Sequence, residues 1–125
     1  MALRNEDLTS EILGAAFQAH RRLGPGLLES VYCAALAIEF RRRQVRFARE
    51  VWLPVKYDGE LLDAHFLLDF LVDGLVVVEV KAIEQLAKVH EAQLLTYLRL
   101  GGYPVGLLLN FNVLSLKQGI VRRVL

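Results

Sequence analysis

Three charged residues interrupt an otherwise oily stretch that reads Asp69-Phe-Leu-Val-Asp73-Gly74-Leu-Val-Val-Val-Glu79-Val-Lys81. Asp69 precedes an Asp-Gly pair, and Glu79 and Lys81 follow it. Asp-Gly between two apolar runs is a strong short-range hairpin signal. Side chains two apart on a strand share a face, so Glu79 and Lys81 point the same way. Burying carboxylates without partners is costly. Two acids and a lysine suit one chemistry well. The acids hold a hard divalent cation, Mg2+ or Mn2+, through oxygen ligands. Such a cation engages a phosphate oxygen and an attacking water, and the lysine orients that water or stabilises charge on the phosphate. The bland alternative is a solvated strand edge with an ion pair, and taken alone these three residues favour it.

The hairpin must have the right parity to bring Asp69 to the face of the other two. A two-residue Asp73-Gly74 loop pairs Val72 with Leu75 and sets Asp69 opposite Val78, on the wrong face. A three-residue loop, Val72-Asp73-Gly74 with Gly74 left-handed, pairs Leu71 with Leu75. Asp69 then lies opposite Val77 and diagonal to Glu79, on the same face. The chemistry therefore requires an odd loop or a bulge.

The elements around this hairpin are expected in the order α-α-β-β-β-α-β-β. Residues 7–23 carry Leu8, Ile12, Ala15, Ala16, Ala19 and Leu23 at helical spacing. Asp7 or Thr9 can cap that helix. Gly24-Pro25-Gly26 must break it. A second helix is predicted from about Leu27 to Arg43, with Leu28, Val31, Tyr32, Ala35, Leu36 and Phe40 on its apolar side. Val51 to Lys56 reads as a strand that Pro54 assigns to a sheet edge or a bulge. Tyr57-Asp58-Gly59-Glu60 reads as a turn, and Leu61 to Leu71 as the strand bearing Asp69. A helix is predicted over about Ile83 to Leu100, ended by Gly101-Gly102. An apolar strand follows from Pro104 to Asn110, then a last strand from Leu116 to Leu125. The helix between the Glu79 strand and the Pro104 strand makes a parallel βαβ crossover.

Composition bounds the partners. The 125 residues fit one domain, 1–125, and are 54% hydrophobic, which excludes a disordered chain. Fifteen basic and fourteen acidic residues give a formal net charge of +1, so any nucleic-acid contact must come from a local patch. The basic cluster is residues 39–50, which hold five arginines and two acids. Arg42 and Arg43 within it can meet phosphates. The plainer reading is a solvated helix end, where arginines suit the dipole. The single cysteine, Cys33, forbids an intrachain disulfide and reads as a small buried residue on a helix. Acids stand where a signal peptide would carry basic residues, and no apolar run reaches about 18 residues. A cytoplasmic protein without a membrane span is expected.

The break between the first two helices contains Gly26-x-x-Glu29-x-x-Tyr32. It resembles the motif that names the bacterial GxxExxY protein family, a group within the PD-(D/E)XK nuclease superfamily. That superfamily's signature is an acid on one strand and Glu-x-Lys on the next. The resemblance runs through Asp69, Glu79-Val80-Lys81, Gln93-x-x-x-Tyr97 and Asn110-Phe111. It implies a restriction-endonuclease-like α/β fold, a mixed sheet flanked by helices. It also implies a Mg2+- or Mn2+-dependent nuclease acting on DNA or RNA. Asp69 and Glu79 would bind the metal with the Val80 carbonyl, Glu29 would assist as a further acid, and Lys81 would position the water. Gln93 and Tyr97, four apart on one helix face, would contact nucleic acid or support the active site, as in RecB-like members. His20 resembles an upstream histidine that ligates metal in those members.

Each of these has a plainer reading. Glu29 can complement a helix dipole, Tyr32 can be a core aromatic with its hydroxyl tied off, and His20 can be a polar helix-end residue. Gln93 and Tyr97 can be boundary residues. Two alternatives to the nuclease stand: a catalytically silent module binding nucleic acid or a protein partner, and a small-molecule-binding α/β domain with an apolar pocket. The small size leaves specificity to a homodimer or an unidentified protein partner.

Overall fold

The computed structural model describes residues 5–125. Two helices, α1 (Asn5–Leu23) and α2 (Glu29–Arg42), precede three strands, β1 (Phe47–Tyr57), β2 (Glu60–Val72) and β3 (Val76–Lys81). Then come α3 (Lys88–Gly101), β4 (Val105–Asn110), a short 3-10 turn over Leu116–Gly119 and β5 (Ile120–Val124). The five strands form one sheet in sequence order. Only β3 and β4 run parallel, and α3 is their crossover. The sheet is therefore mixed, and the element order is the one expected.

Both faces of the sheet are covered, which is why β3 and β4 are apolar almost throughout. Val76, Val78 and Val80 alternate with Val77 along β3. The first three join α1 and α2 in one core, with Ile12, Leu36, Phe40 and Phe70. Val77 joins α3 in a second core, with Leu53, Leu68, Leu94, Leu98 and Leu108. Gly106 lets α3 lie close on β4, since a Cβ there would come within 2.8 Å of the Leu94 side chain. Leu8, Ile12, Ala15, Ala16 and Ala19 are buried as their spacing predicts. Neither expected cap forms. Asp7 and Thr9 lie inside a helix already running at Asn5, and the Thr9 hydroxyl is buried with no hydrogen-bond partner among the described residues.

Several boundaries differ from expectation. The second helix starts at Glu29, so Leu28 and Val31 are exposed and Tyr32, Cys33, Leu36, Ala37 and Phe40 form its buried face. The third begins at Lys88, not Ile83. Residues 82–87 are held off the helix by Asn110: the Ile83 N–H donates to Asn110 Oδ1 at 3.1 Å, and Asn110 Nδ2 donates to the Ile83 carbonyl at 3.0 Å. The last strand begins at Ile120 because Leu116–Gly119 curls into a 3-10 turn. Pro54 lies on the edge strand, at the shift in register between Pro54 and Lys56, so both devices that its ring allows are used.

Candidate active site

The β2–β3 hairpin carries both acids. Asp73 and Gly74 are left-handed, with φ of 52° and 67°. The Leu75 N–H donates to the Val72 carbonyl at 3.0 Å, while the Asp73 N–H donates outward to the Arg46 carbonyl at 2.8 Å. Strand pairing begins at Val72↔Val76, so three residues, Asp73–Leu75, form the turn. The odd loop is the one the chemistry required. Its position is a correction: Val72 stays in the strand, Leu75 joins the turn, and the register moves by two. Continued from Phe70↔Val78, the pairing sets Asp69 directly across from Glu79 and not from Val77.

Regular pairing stops at Phe70↔Val78, and beyond it the two carboxylates bridge the strands. The Asp69 N–H donates to Glu79 Oε2 at 2.8 Å, and the Val80 N–H donates to Asp69 Oδ2 at 2.8 Å. Each acid thus commits one oxygen to the backbone of the other's strand. Asp69 Oδ1 and Glu79 Oε1 accept no hydrogen bond among the described residues. Glu79 is 5% exposed. Burial first, then the negative charge of Asp69, pushes its carboxyl up to about 8, against the opposing pull of the Asp69 N–H and Lys81. Burial also raises Asp69, offset in part by the Val80 N–H, Lys81 and Arg49.

Glu29 shares this field. Burial, then the charge of Asp69, raises its carboxyl, and Lys81 opposes them. It is the first residue of α2, after a break in which Gly24 and Gly26 are left-handed. Tyr32 fixes that break. Its hydroxyl donates to the Gly24 carbonyl at 2.6 Å and accepts the Leu27 N–H at 3.1 Å. Its ring is fully buried and stacks on Phe111 at 4.7 Å. The Gly26 N–H donates to Asn112 Oδ1 at 3.0 Å, which ties the break to the end of β4. Tyr32 is therefore a core residue whose hydroxyl holds the turn from which Glu29 projects.

The remaining candidates divide. Tyr97 is buried on α3 against Phe66, with ring centroids 4.9 Å apart. Burial, then the charges of Glu79 and Asp69, pushes its hydroxyl up to about 12, so it lies within the field of the acids. Gln93 lies one turn earlier on α3 and is exposed. Val80 buries its side chain in the core and gives its N–H to Asp69. His20 does not join the acids. Its Nε2 donates to the Val113 carbonyl at 2.8 Å, which fastens the segment after β4 to the end of α1. Arg42 pairs with Glu39 at 3.1 Å and Arg43 with Glu11 at 3.2 Å. Arg42 lies thirteen helical steps beyond Glu29, about 20 Å of rise, so these two arginines sit at the far end of α2.

Three neighbours of the site had no motif to announce them. Cys33 lies close enough that burial, then Asp69 and Glu29, pushes its thiol up to about 12. Glu50 occupies the β1 position across from Asp69 and is left-handed, with φ of 52°. The pairing skips that position, between Arg49↔Phe70 and Val51↔Leu68. Arg49 stands beside it. No residue type marks a left-handed glutamate in advance.

The donor set fits one kind of cation. Among the described residues, no three or more His, Cys, Asp and Glu side chains gather as a metal cage. Two carboxylates, each with an uncommitted oxygen, do not suit a structural zinc. They do suit Mg2+ or Mn2+, which keep waters and take one or two carboxylates together with substrate phosphates. The crowding of negative charge that raises Glu79 and Asp69 is what such a cation would relieve.

No helix among the described residues is long and apolar enough to cross a membrane. No curated protein and no solved structure matches the chain. The sequence profile of the PD-(D/E)XK nuclease superfamily matches residues 6–124. That match spans nearly the whole chain, and the paired acids and Glu-x-Lys lie within it on adjacent strands of a mixed α/β sheet; the chain belongs to the PD-(D/E)XK nuclease superfamily.

Proposed function

We propose that this protein is a metal-dependent nuclease that hydrolyses phosphodiester bonds in DNA or RNA. The observation that carries the reading is the interlock of Asp69 and Glu79, with Lys81 two residues beyond on the face of Glu79. Asp69 and Glu79 would hold the cation, with the Val80 carbonyl as candidate third donor and Glu29 as an added acid at the rim. Mg2+ or Mn2+ held there would supply Lewis-acid charge at the phosphate and a more acidic attacking water. Lys81 holds that water and stabilises charge on the phosphate as it develops. Tyr97 closes the α3 side of the site, and Gln93, exposed one turn away, offers an amide to the substrate. The backbone bonds fix both carboxylates before any ligand arrives, so little ordering remains for the moment of binding.

Cleavage of single- and double-stranded DNA and RNA tests this, with Mg2+ or Mn2+ and with wild type beside Glu79→Ala and Lys81→Ala. Metal-dependent cleavage lost in both variants supports the nuclease. Cleavage that persists in the variants, or none in the wild type, rejects it in favour of a silent binding module of the same fold.

A further inference from the structure

The basic run after α2 separates into two sets. Arg42 and Arg43 are ion-paired, and Arg46 approaches Asp73 at 3.9 Å. Arg41 and Arg49 enter no ion pair among the described residues. Each lies instead over a phenylalanine: Arg41 is 5.6 Å from the Phe47 centroid and Arg49 is 5.5 Å from that of Phe70. The two rings are themselves 5.9 Å apart, and Phe40 meets both at 5.4 Å. The two guanidinium groups therefore rest on one aromatic ledge. Stacking on a ring fixes a guanidinium plane and leaves its N–H edge unused, the geometry that suits a bidentate phosphate contact.

The ledge leads to the acids. Arg49 pairs with Phe70, the residue after Asp69. The left-handed Glu50 sends the two parts of β1 to different cores. Phe47 joins the α2 core together with Phe70, whereas Val51 and Leu53 join the α3 core together with Leu68. Without that break Arg49 would continue the alternation of Val51 and Leu53 on the α3 side. With it, Arg49 stays on the α2 side, where Phe70 carries it and Glu29 begins its helix.

We propose that Arg49, with Arg41 behind it, anchors the nucleic-acid backbone of the substrate beside Asp69, and that Arg42 and Arg43 do not. This rests on the nuclease reading for its ligand and adds the path by which the strand approaches the acids. The positive field of Arg49 already lowers both Asp69 and Cys33 against their larger upward shifts, as expected of a cation at the edge of the site.

Fluorescence anisotropy tests it with labelled single- and double-stranded oligonucleotides of DNA and RNA, in EDTA and over a series of salt concentrations. The variants are Arg49→Gln, Arg41→Gln and Arg43→Gln. Arg49→Gln is expected to raise Kd about tenfold and to reduce the salt slope by about 0.7 to 0.9, the share of one phosphate contact. Arg41→Gln follows with a smaller loss, and Arg43→Gln stays within about twofold of wild type. The proposal is overturned if Arg43→Gln weakens binding as much as Arg49→Gln, if Arg49→Gln leaves Kd and slope unchanged, or if the wild type binds none of the four probes at low salt. Should Arg49→Gln not fold, Arg41→Gln against Arg43→Gln carries the same comparison. Because binding is read without metal, Arg49-dependent binding with no cleavage sinks the nuclease and keeps the anchor. Glu79-dependent cleavage with unaltered binding by Arg49→Gln does the reverse.

Discussion

The molecule contains two hairpins that turn on the same dipeptide, and they end differently. Asp58-Gly59 joins β1 to β2 with two left-handed residues, and Tyr57 pairs with Glu60 directly across them. Asp73-Gly74 joins β2 to β3 with the same left-handed pair, but Leu75 is added to the turn and pairing begins one residue later. One hairpin is long and zipped by backbone bonds along most of its length. The other makes three regular pairs and then surrenders the ladder to the Asp69 and Glu79 carboxylates. The two acids meet where regular pairing stops, and one extra turn residue decides which face they meet on.

The largest effect expected is on chemistry. Glu79→Ala or Lys81→Ala in the second hairpin should lower cleavage by about two to three orders of magnitude, the usual cost of removing one group that stabilises the transition state. Glu60→Ala in the first hairpin should leave the rate within a factor of two, and an equal loss there would break the comparison. Deleting Leu75 should be nearly as severe. It gives the second hairpin the parity of the first, moves Asp69 off the face of Glu79 and turns buried valines toward the wrong layer. Urea denaturation should show a loss of about 3 kcal/mol or more, as for other severe core disruptions.

The pH dependence of the metal-free protein sharpens the contrast. The Glu79 carboxyl is raised from 4.5 to about 8 on folding, so between those values the folded chain holds a proton that the unfolded chain releases. Stability from this group is therefore greatest below about 4.5 and falls as pH rises toward 8. Asp69 is raised too and adds in the same direction. Denaturation in EDTA across this range should show the decline, and Glu79→Gln should flatten it. Saturating Mg2+ should oppose it, because the cation binds the ionised acids.

Smaller effects follow. Tyr32→Phe removes the hydroxyl that holds the Gly24–Leu27 turn, and should cost about 1 to 2 kcal/mol in stability. It should also weaken metal-dependent cleavage through Glu29, while Phe111→Leu perturbs the same core without releasing the turn. Gly59→Ala and Gly74→Ala should each cost about 1 kcal/mol, since both glycines are left-handed. Thermal melts should rank the two alike, and only Gly74→Ala should slow cleavage.

Much of this was legible in residue types. Gly24-Pro25-Gly26 had to end a helix, Pro54 had to lie at an edge or a bulge, and Glu79-x-Lys81 had to share a face. The need for an odd loop before β3 followed from parity alone. Its position did not, because Leu75 is as apolar as the valines after it and the turn is fixed by Arg46, whose carbonyl takes the Asp73 N–H. The start of α3 was hidden for a similar reason. Ile83 fits a helical pattern, but its backbone answers to Asn110, 27 residues away. Arg43 and Arg49 look alike in the sequence; Glu11 on another helix pairs with Arg43, while Arg49 lies over Phe70. His20 resembled a ligand in position, yet its ring is turned to Val113.

The interlock of the two acids has a consequence for observing the site. The Asp69 and Val80 amides donate to carboxylates where a regular ladder would supply carbonyls. A backbone carbonyl does not titrate over this range of pH, and a carboxylate does. Hydrogen exchange at these two amides should therefore report the state of the acids with no substrate present. Corrected for the intrinsic pH dependence of exchange, their protection should fall as the carboxylates gain protons and change again when Mg2+ is titrated in, while that of the Asp58-Gly59 hairpin amides holds steady.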